Sequence, residues 1–89
     1  MNDSNQFQTT YLYYPNGQIK LEQNFRNGAA HGRAIFWHEN GALAERGEFR
    51  NGLKEGLWES WNTLGRRIKE GFFIAGKLHE NIEFEREVG

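Results

Sequence analysis

Three histidines and a scatter of acids are the residues of this chain best suited to chemistry. His31, His38 and His79 could ligate a metal ion or move a proton. His31 and His79 lie 48 residues apart, with Glu55 midway. Glu39, Glu45, Glu48, Glu55, Glu59, Glu70, Glu80, Glu83, Glu85 and Glu87 could supply the carboxylate pairs of a hydrolase. Arg66 and Arg67, with Lys69, form the one local basic cluster, suited to an anion or an acidic partner. Whether any of these groups converge depends on the elements that carry them.

Those elements repeat. Gly17, Gly41, Gly65 and Gly89 are spaced by 24 residues, as are Gly28, Gly52 and Gly76. The pairs Gly32 and Gly56, and Gly47 and Gly71, keep the same spacing and complete the 11 glycines. Phe25, Phe49 and Phe73 share the register, and so do Tyr13, Trp37 and Trp61. No insertion interrupts the period. Asn16-Gly17, Asn27-Gly28, Asn40-Gly41 and Asn51-Gly52 are Asn-Gly dipeptides, the strongest short hairpin signal, and type I′ turns are expected at each. In the third unit Leu64-Gly65 and Ala75-Gly76 keep the glycine but lose the asparagine. The segments between are rich in Phe, Trp, Tyr and Ile and too short for stable helices.

The spacing predicts strands near 11–15, 19–25, 33–38, 43–49, 57–61, 67–73 and 81–85. Tight turns make successive strands antiparallel neighbours. The expected fold is all-β: an elongated single-layer meander of about seven strands. Residues 1–10 read as a flexible lead-in, and 11–89 as the repeat domain. The repeats run about 11–32, 33–56 and 57–80, with a partial unit at 81–89. Gly17, Gly28, Gly41, Gly52, Gly65 and Gly76 are the structural turn glycines.

This geometry weighs against convergence. Positions two repeats apart lie roughly 19 Å apart in a flat sheet, too far for His31 and His79 to share an ion. The histidines therefore read as exposed residues beside turns, and the acids as a solvated face laced with ion pairs. No nucleophile, metal or cofactor set is expected, and the chain is not expected to be an enzyme. Net charge is −1, so neither nucleic acid nor an anionic membrane is an expected partner. The absence of cysteine and of an N-terminal apolar run fits the cytoplasm.

The residues that define the units are Tyr14-Pro15-Asn16-Gly17, Phe25-Arg26-Asn27-Gly28 and His31-Gly32 in the first. The second has Trp37-His38-Glu39-Asn40-Gly41, Glu48-Phe49-Arg50-Asn51-Gly52 and Glu55-Gly56. The third has Gly56-Leu57-Trp58-Glu59-Ser60-Trp61 and Glu70-Gly71-Phe72-Phe73. This pattern resembles the MORN repeat in its bacterial variant form, over roughly residues 11–80. The resemblance implies a single-layer antiparallel sheet that serves as a scaffold or partner-binding module. Proteins built mainly of this variant are similar to antitoxin or immunity proteins that neutralise a cognate toxin. Some arrays of the wider family are linked to membranes and phosphoinositides.

Simple alternation sorts the strands into faces. Ile19, Leu21, Gln23 and Phe25 fall on one side, as do Leu43, Glu45, Gly47 and Phe49; the other side is charged. Trp37 and Trp61 are expected to stack as a ladder, with Phe36 on the opposite parity. Gly47 and Gly71 are expected to make room for neighbouring rings. A single layer cannot bury both faces, so a protein partner or a second copy is expected to cover one. Trp37, Trp58, Trp61, Tyr13, Phe36, Arg66 and Arg67 are the candidate partner-binding residues. The alternatives are a structural homo-oligomer and a membrane or phosphoinositide binder.

Overall fold

The computed structural model describes residues 6–84. Residues 1–5 of the expected lead-in, the end of the last strand at 85, the remainder of the partial unit and Gly89 lie outside them. Seven strands follow one another: β1 Phe7–Tyr13, β2 Ile19–Arg26, β3 Ala29–Trp37, β4 Leu43–Arg50, β5 Leu53–Trp61, β6 Arg67–Ile74 and β7 Lys77–Glu83. They pair in chain order as one antiparallel sheet, and no helix occurs among the described residues. The molecule measures 61 × 36 × 11 Å, a single layer thick.

The strands are longer than the spacing predicts. β1 begins at Phe7, within the segment read as lead-in, and β3, β5 and β7 begin at residues 29, 53 and 77 rather than beside the later glycines. The cause is the tightness of one set of turns. Asn27, Asn51 and Ala75 all have φ of 49°, and Gly28, Gly52 and Gly76 have φ of 83–85°. Positive φ at both central residues defines the two-residue I′ turn, so the next strand starts at once.

The other set of turns departs from expectation. Asn16 and Asn40 do not share the positive φ of Gly17 and Gly41. There the amide of Gly17 donates to the Tyr14 carbonyl at 2.9 Å, and that of Tyr14 to the Gln18 carbonyl at 2.8 Å. The loop closed by the Tyr14–Gln18 bond holds three residues rather than two, with Asn16 supplying a side-chain cap to the Gln18 amide at 2.9 Å. The Asn-Gly dipeptide therefore serves two turn types, and the flanking Pro15 or Glu39 accompanies the wider one.

Register breaks recur with the period. Leu12 opposes Leu21 but Tyr13 opposes Ile19, which leaves Lys20 unmatched. Ala44 and Ile68 are skipped in the same way. These are β-bulges, and they reset alternation. Ile19 and Leu43 consequently face the side of Tyr13 and Trp37, not that of Leu21 and Glu45 as simple alternation predicts. A second irregularity lies on the other side of each even strand. Gln23 opposes Ala34 but Phe25 opposes Ala30, so β3 runs two residues longer than β2. β5 does the same against β4, where Arg46 opposes Glu59 and Glu48 opposes Glu55. Gly32 and Gly56, with φ of 95° and 76°, occupy these excursions.

Candidate interaction surface

Cross-strand partners share a face, so the register sorts the side chains. One face, here face A, carries Leu21, Gln23, Phe25, Ala34, Phe36, Phe49, Trp58 and Phe73. Its centre is the core of the protein: Ala34 and Trp58 are buried, with Gln23 the buried polar residue among those described. The opposite face B carries Glu22, Arg33, Arg46, Glu48, Glu59 and Glu70, with Ile35, Leu57 and Phe72 between them.

Face A is built on complementary volumes at repeated positions. In the first unit a long residue, Gln23, opposes a small one, Ala34. In the second the sizes are exchanged. Gly47 stands where Gln23 did, and Trp58 where Ala34 did. A Cβ on Gly47 would lie 2.1 Å from the Trp58 ring, so only glycine admits the indole there. The ring is then held by Phe49 and Phe73, edge-on at 5.1 and 6.5 Å. Its Nε1–H donates to the Glu48 carbonyl at 3.1 Å. Lys54 Nζ lies 4.5 Å from the Trp58 centroid and 5.0 Å from that of Phe73.

The third unit breaks the pattern. Gly71 repeats Gly47, and Ile82 repeats Trp58, but Glu80 stands where Gly32 and Gly56 stood. A residue with a Cβ disfavours the left-handed backbone of those excursions. β7 accordingly runs one residue longer than β6 rather than two: Phe72 opposes Glu80 and Phe73 opposes Leu78. The single-residue slip places Asn81 opposite Gly71 and sends Ile82 to face B opposite Glu70. Leu78 and Phe73 close over Gly71 in place of an indole, and a hollow of about 100 Å³ remains beside them, lined by Trp58, Phe73, Leu78 and Asn81 and by the charged Glu45, Lys54 and Lys69. Gly71 is thus less crowded than Gly47: an added Cβ would meet the ends of Leu78 and Phe73 at 3.1 Å.

Face B holds the charge network. Glu59 receives Arg46 at 3.1 Å and Arg67 at 3.5 Å, and Arg67 also reaches Glu70. Arg46 lies over the Trp61 ring at 5.3 Å and Arg67 over that of Phe84 at 5.5 Å. Of the acids that could have formed a hydrolytic pair, Glu59 and Glu70 are thus matched by cations, and Glu45 on face A lies 4.0 Å from Lys54.

The sequence-selected residues do not gather in one place. Trp58 and Phe36 lie on face A, while Trp37 and Trp61 lie on face B. Tyr13 is exposed at the end of the edge strand β1. Arg66 occupies the β5–β6 turn and Arg67 the ion-pair network. Trp37 and Trp61 are knitted to their neighbours through the backbone. The Tyr14 hydroxyl donates to the Trp37 carbonyl at 2.7 Å, and His38 Nε2 to the Trp61 carbonyl at 2.8 Å. His38 repeats Tyr14, so the two bonds form a ladder between wide turns. Asn16 and Asn40 extend it, donating to the Glu39 and Thr63 carbonyls.

The histidines correct a further expectation. His31 and His38 are half-buried rather than exposed. His31 Nδ1 accepts the amide of Asn51 at 3.0 Å, and Glu55 Oε1 accepts that of Ala75 at 3.0 Å, one repeat later. Their shared register is that of a turn clamp. Among the described residues no three of His, Asp or Glu stand close enough to hold a metal ion. Sequence reasoning singled out Gly71 but missed Lys54, Leu78 and Asn81 around the hollow. The available signal was Glu80, one repeat after Gly56.

An open sheet of hairpin units that contact only their sequence neighbours defines a repeat protein of the single-layer β class. Residues 9–27 and 30–51 match the family model described as the MORN repeat variant, one match in each of the first two units. Such repeats are generally protein or membrane-lipid interaction modules. No curated protein and no solved structure matches the chain.

Proposed function

We propose that this protein is a non-catalytic protein-binding module that docks a partner on face A, with an apolar side chain of the partner seated in the hollow between Trp58, Phe73 and Leu78. The observation that carries the reading is the interrupted pattern of volumes: Trp58 covers Gly47, while Gly71 is met by Leu78, Phe73 and the smaller Asn81, which leave a hollow beside it. The rim suits a protein ligand. Trp58 and Phe73 offer ring surfaces, and Lys54 and Asn81 offer hydrogen-bond donors. A small cytoplasmic adaptor, or an antitoxin or immunity protein acting on a toxin, fits this kind of surface. A lipid surface fits it less well, because the one basic cluster has Arg67 engaged with Glu59 and Glu70.

Peptide-display selection on the immobilised protein tests this reading. The expected binders carry an aromatic or branched aliphatic anchor. They bind Asn81→Trp, which supplies the missing ring from the rim, at least about tenfold more weakly. Binders that take the filled variant as tightly as the native protein would place the site elsewhere. Failure to select any binder would count against a protein-binding role.

A further inference from the structure

We propose that the outer edge of β1 is a self-association site, which pairs antiparallel with β1 of a second copy about a twofold axis at Thr10. The two ends of the sheet are unlike. β7 carries Lys77, Glu80 and Glu83, charges of the kind that keep an edge from pairing. β1 reads Phe7-Gln8-Thr9-Thr10-Tyr11-Leu12-Tyr13, with no charge, proline or glycine, and every residue is exposed. This is a strand of high β-propensity with its outward amides and carbonyls unblunted.

The direction of those groups follows from the hairpin. Gln6 turns its backbone toward β2: its carbonyl accepts the Asn27 amide at 2.8 Å and its amide donates to Asn27 Oδ1 at 2.9 Å. Alternation then turns Gln8 and Thr10 inward and Phe7, Thr9 and Tyr11 outward. A twofold axis at Thr10 sets Thr9 opposite Tyr11 of the second copy, so each pair exchanges two outward hydrogen bonds. Phe7 meets Tyr13 on the same face, and Gln8 meets Leu12 on the other. Phe7 and Tyr13, 67% and 61% exposed, are the most exposed rings among the described residues, and this register pairs them. No charge faces a like charge. Thr10 meets its own copy at a non-hydrogen-bonded position, where Cα atoms approach to about 4.5 Å. The edge spans seven residues, so the dimer is weak and concentration-dependent, below the roughly 1,200 Å² of stable interfaces.

Sedimentation equilibrium from micromolar to millimolar protein reads the association directly. The native mass is expected to rise toward that of a dimer. Thr10→Lys and Thr10→Glu are each expected to weaken the dimer several-fold, and their equimolar mixture to recover it, because only a residue on the twofold axis faces itself. Circular dichroism melts confirm that the variants fold. The chain has no cysteine, so Thr10→Cys provides a second readout: mild oxidation is expected to link Thr10→Cys into dimers faster than Gln8→Cys. A native protein that stays monomeric throughout overturns the proposal. So does association that neither charge variant weakens, or faster cross-linking at Gln8→Cys.

Discussion

Ala75 sits where the first two units carry Asn27 and Asn51, with the same φ of 49°. Asparagine adopts the left-handed region at less cost than alanine. Ala75→Asn should therefore stabilise the protein by about 0.5–1 kcal/mol, read by urea melts, with its amide still donating to Glu55. The turn ladder makes a second prediction at this scale. Tyr14 and His38 present the same bond to the next unit from the same register. Tyr14→Phe and His38→Ala should each cost about 1 kcal/mol, while His38→Tyr should retain most of the native stability. A His38→Tyr variant as unstable as His38→Ala would show that the bond does not govern the position.

At the scale of the element, two strands share one volume. Trp58 needs Gly47, and Ala34 lies beside the longer Gln23. Trp58→Ala alone should cost about 3–5 kcal/mol, enough to unfold a sheet this thin. Gly47→Gln alone should destabilise by about 1–3 kcal/mol or more through collision with the indole. The double variant copies the first unit and should be more stable than Trp58→Ala alone. A thermal double-mutant cycle measures the coupling. Additive losses would mean that the units pack by unrelated rules.

For the whole molecule, each described strand hydrogen-bonds to its chain neighbours, so stability is largely a sum of local terms along one axis. The buried residues Gln23, Ala34, Trp58 and Gly71 lie on β2, β3, β5 and β6, while β1 and β7 are exposed throughout. Amide hydrogen exchange should be slowest in β3 to β5 and fastest in β1 and β7, with a graded rather than uniform profile. Uniform protection would indicate a single cooperative unit. At concentrations where the β1 edge pairs copies, protection of Thr9 and Tyr11 should rise above that of β7.

The order and direction of the strands were legible because they follow from local chemistry. Glycine at a fixed interval forces turns at that interval, and turns this tight leave only antiparallel neighbours. Face assignments were legible only between bulges. Lys20, Ala44 and Ile68 share a repeat position but no side-chain character that marks them as skipped, since a bulge is set by how two strands meet. The histidine roles were hidden for a related reason. A turn amide and its acceptor lie 20 residues apart and come together only across a register. The hollow beside Gly71 needed both levels. The replacement of the repeating glycine by Glu80 is plain in the sequence. Its consequence, a one-residue slip that lifts Ile82 away and leaves Asn81 in its place, was decided by the pairing of β6 with β7.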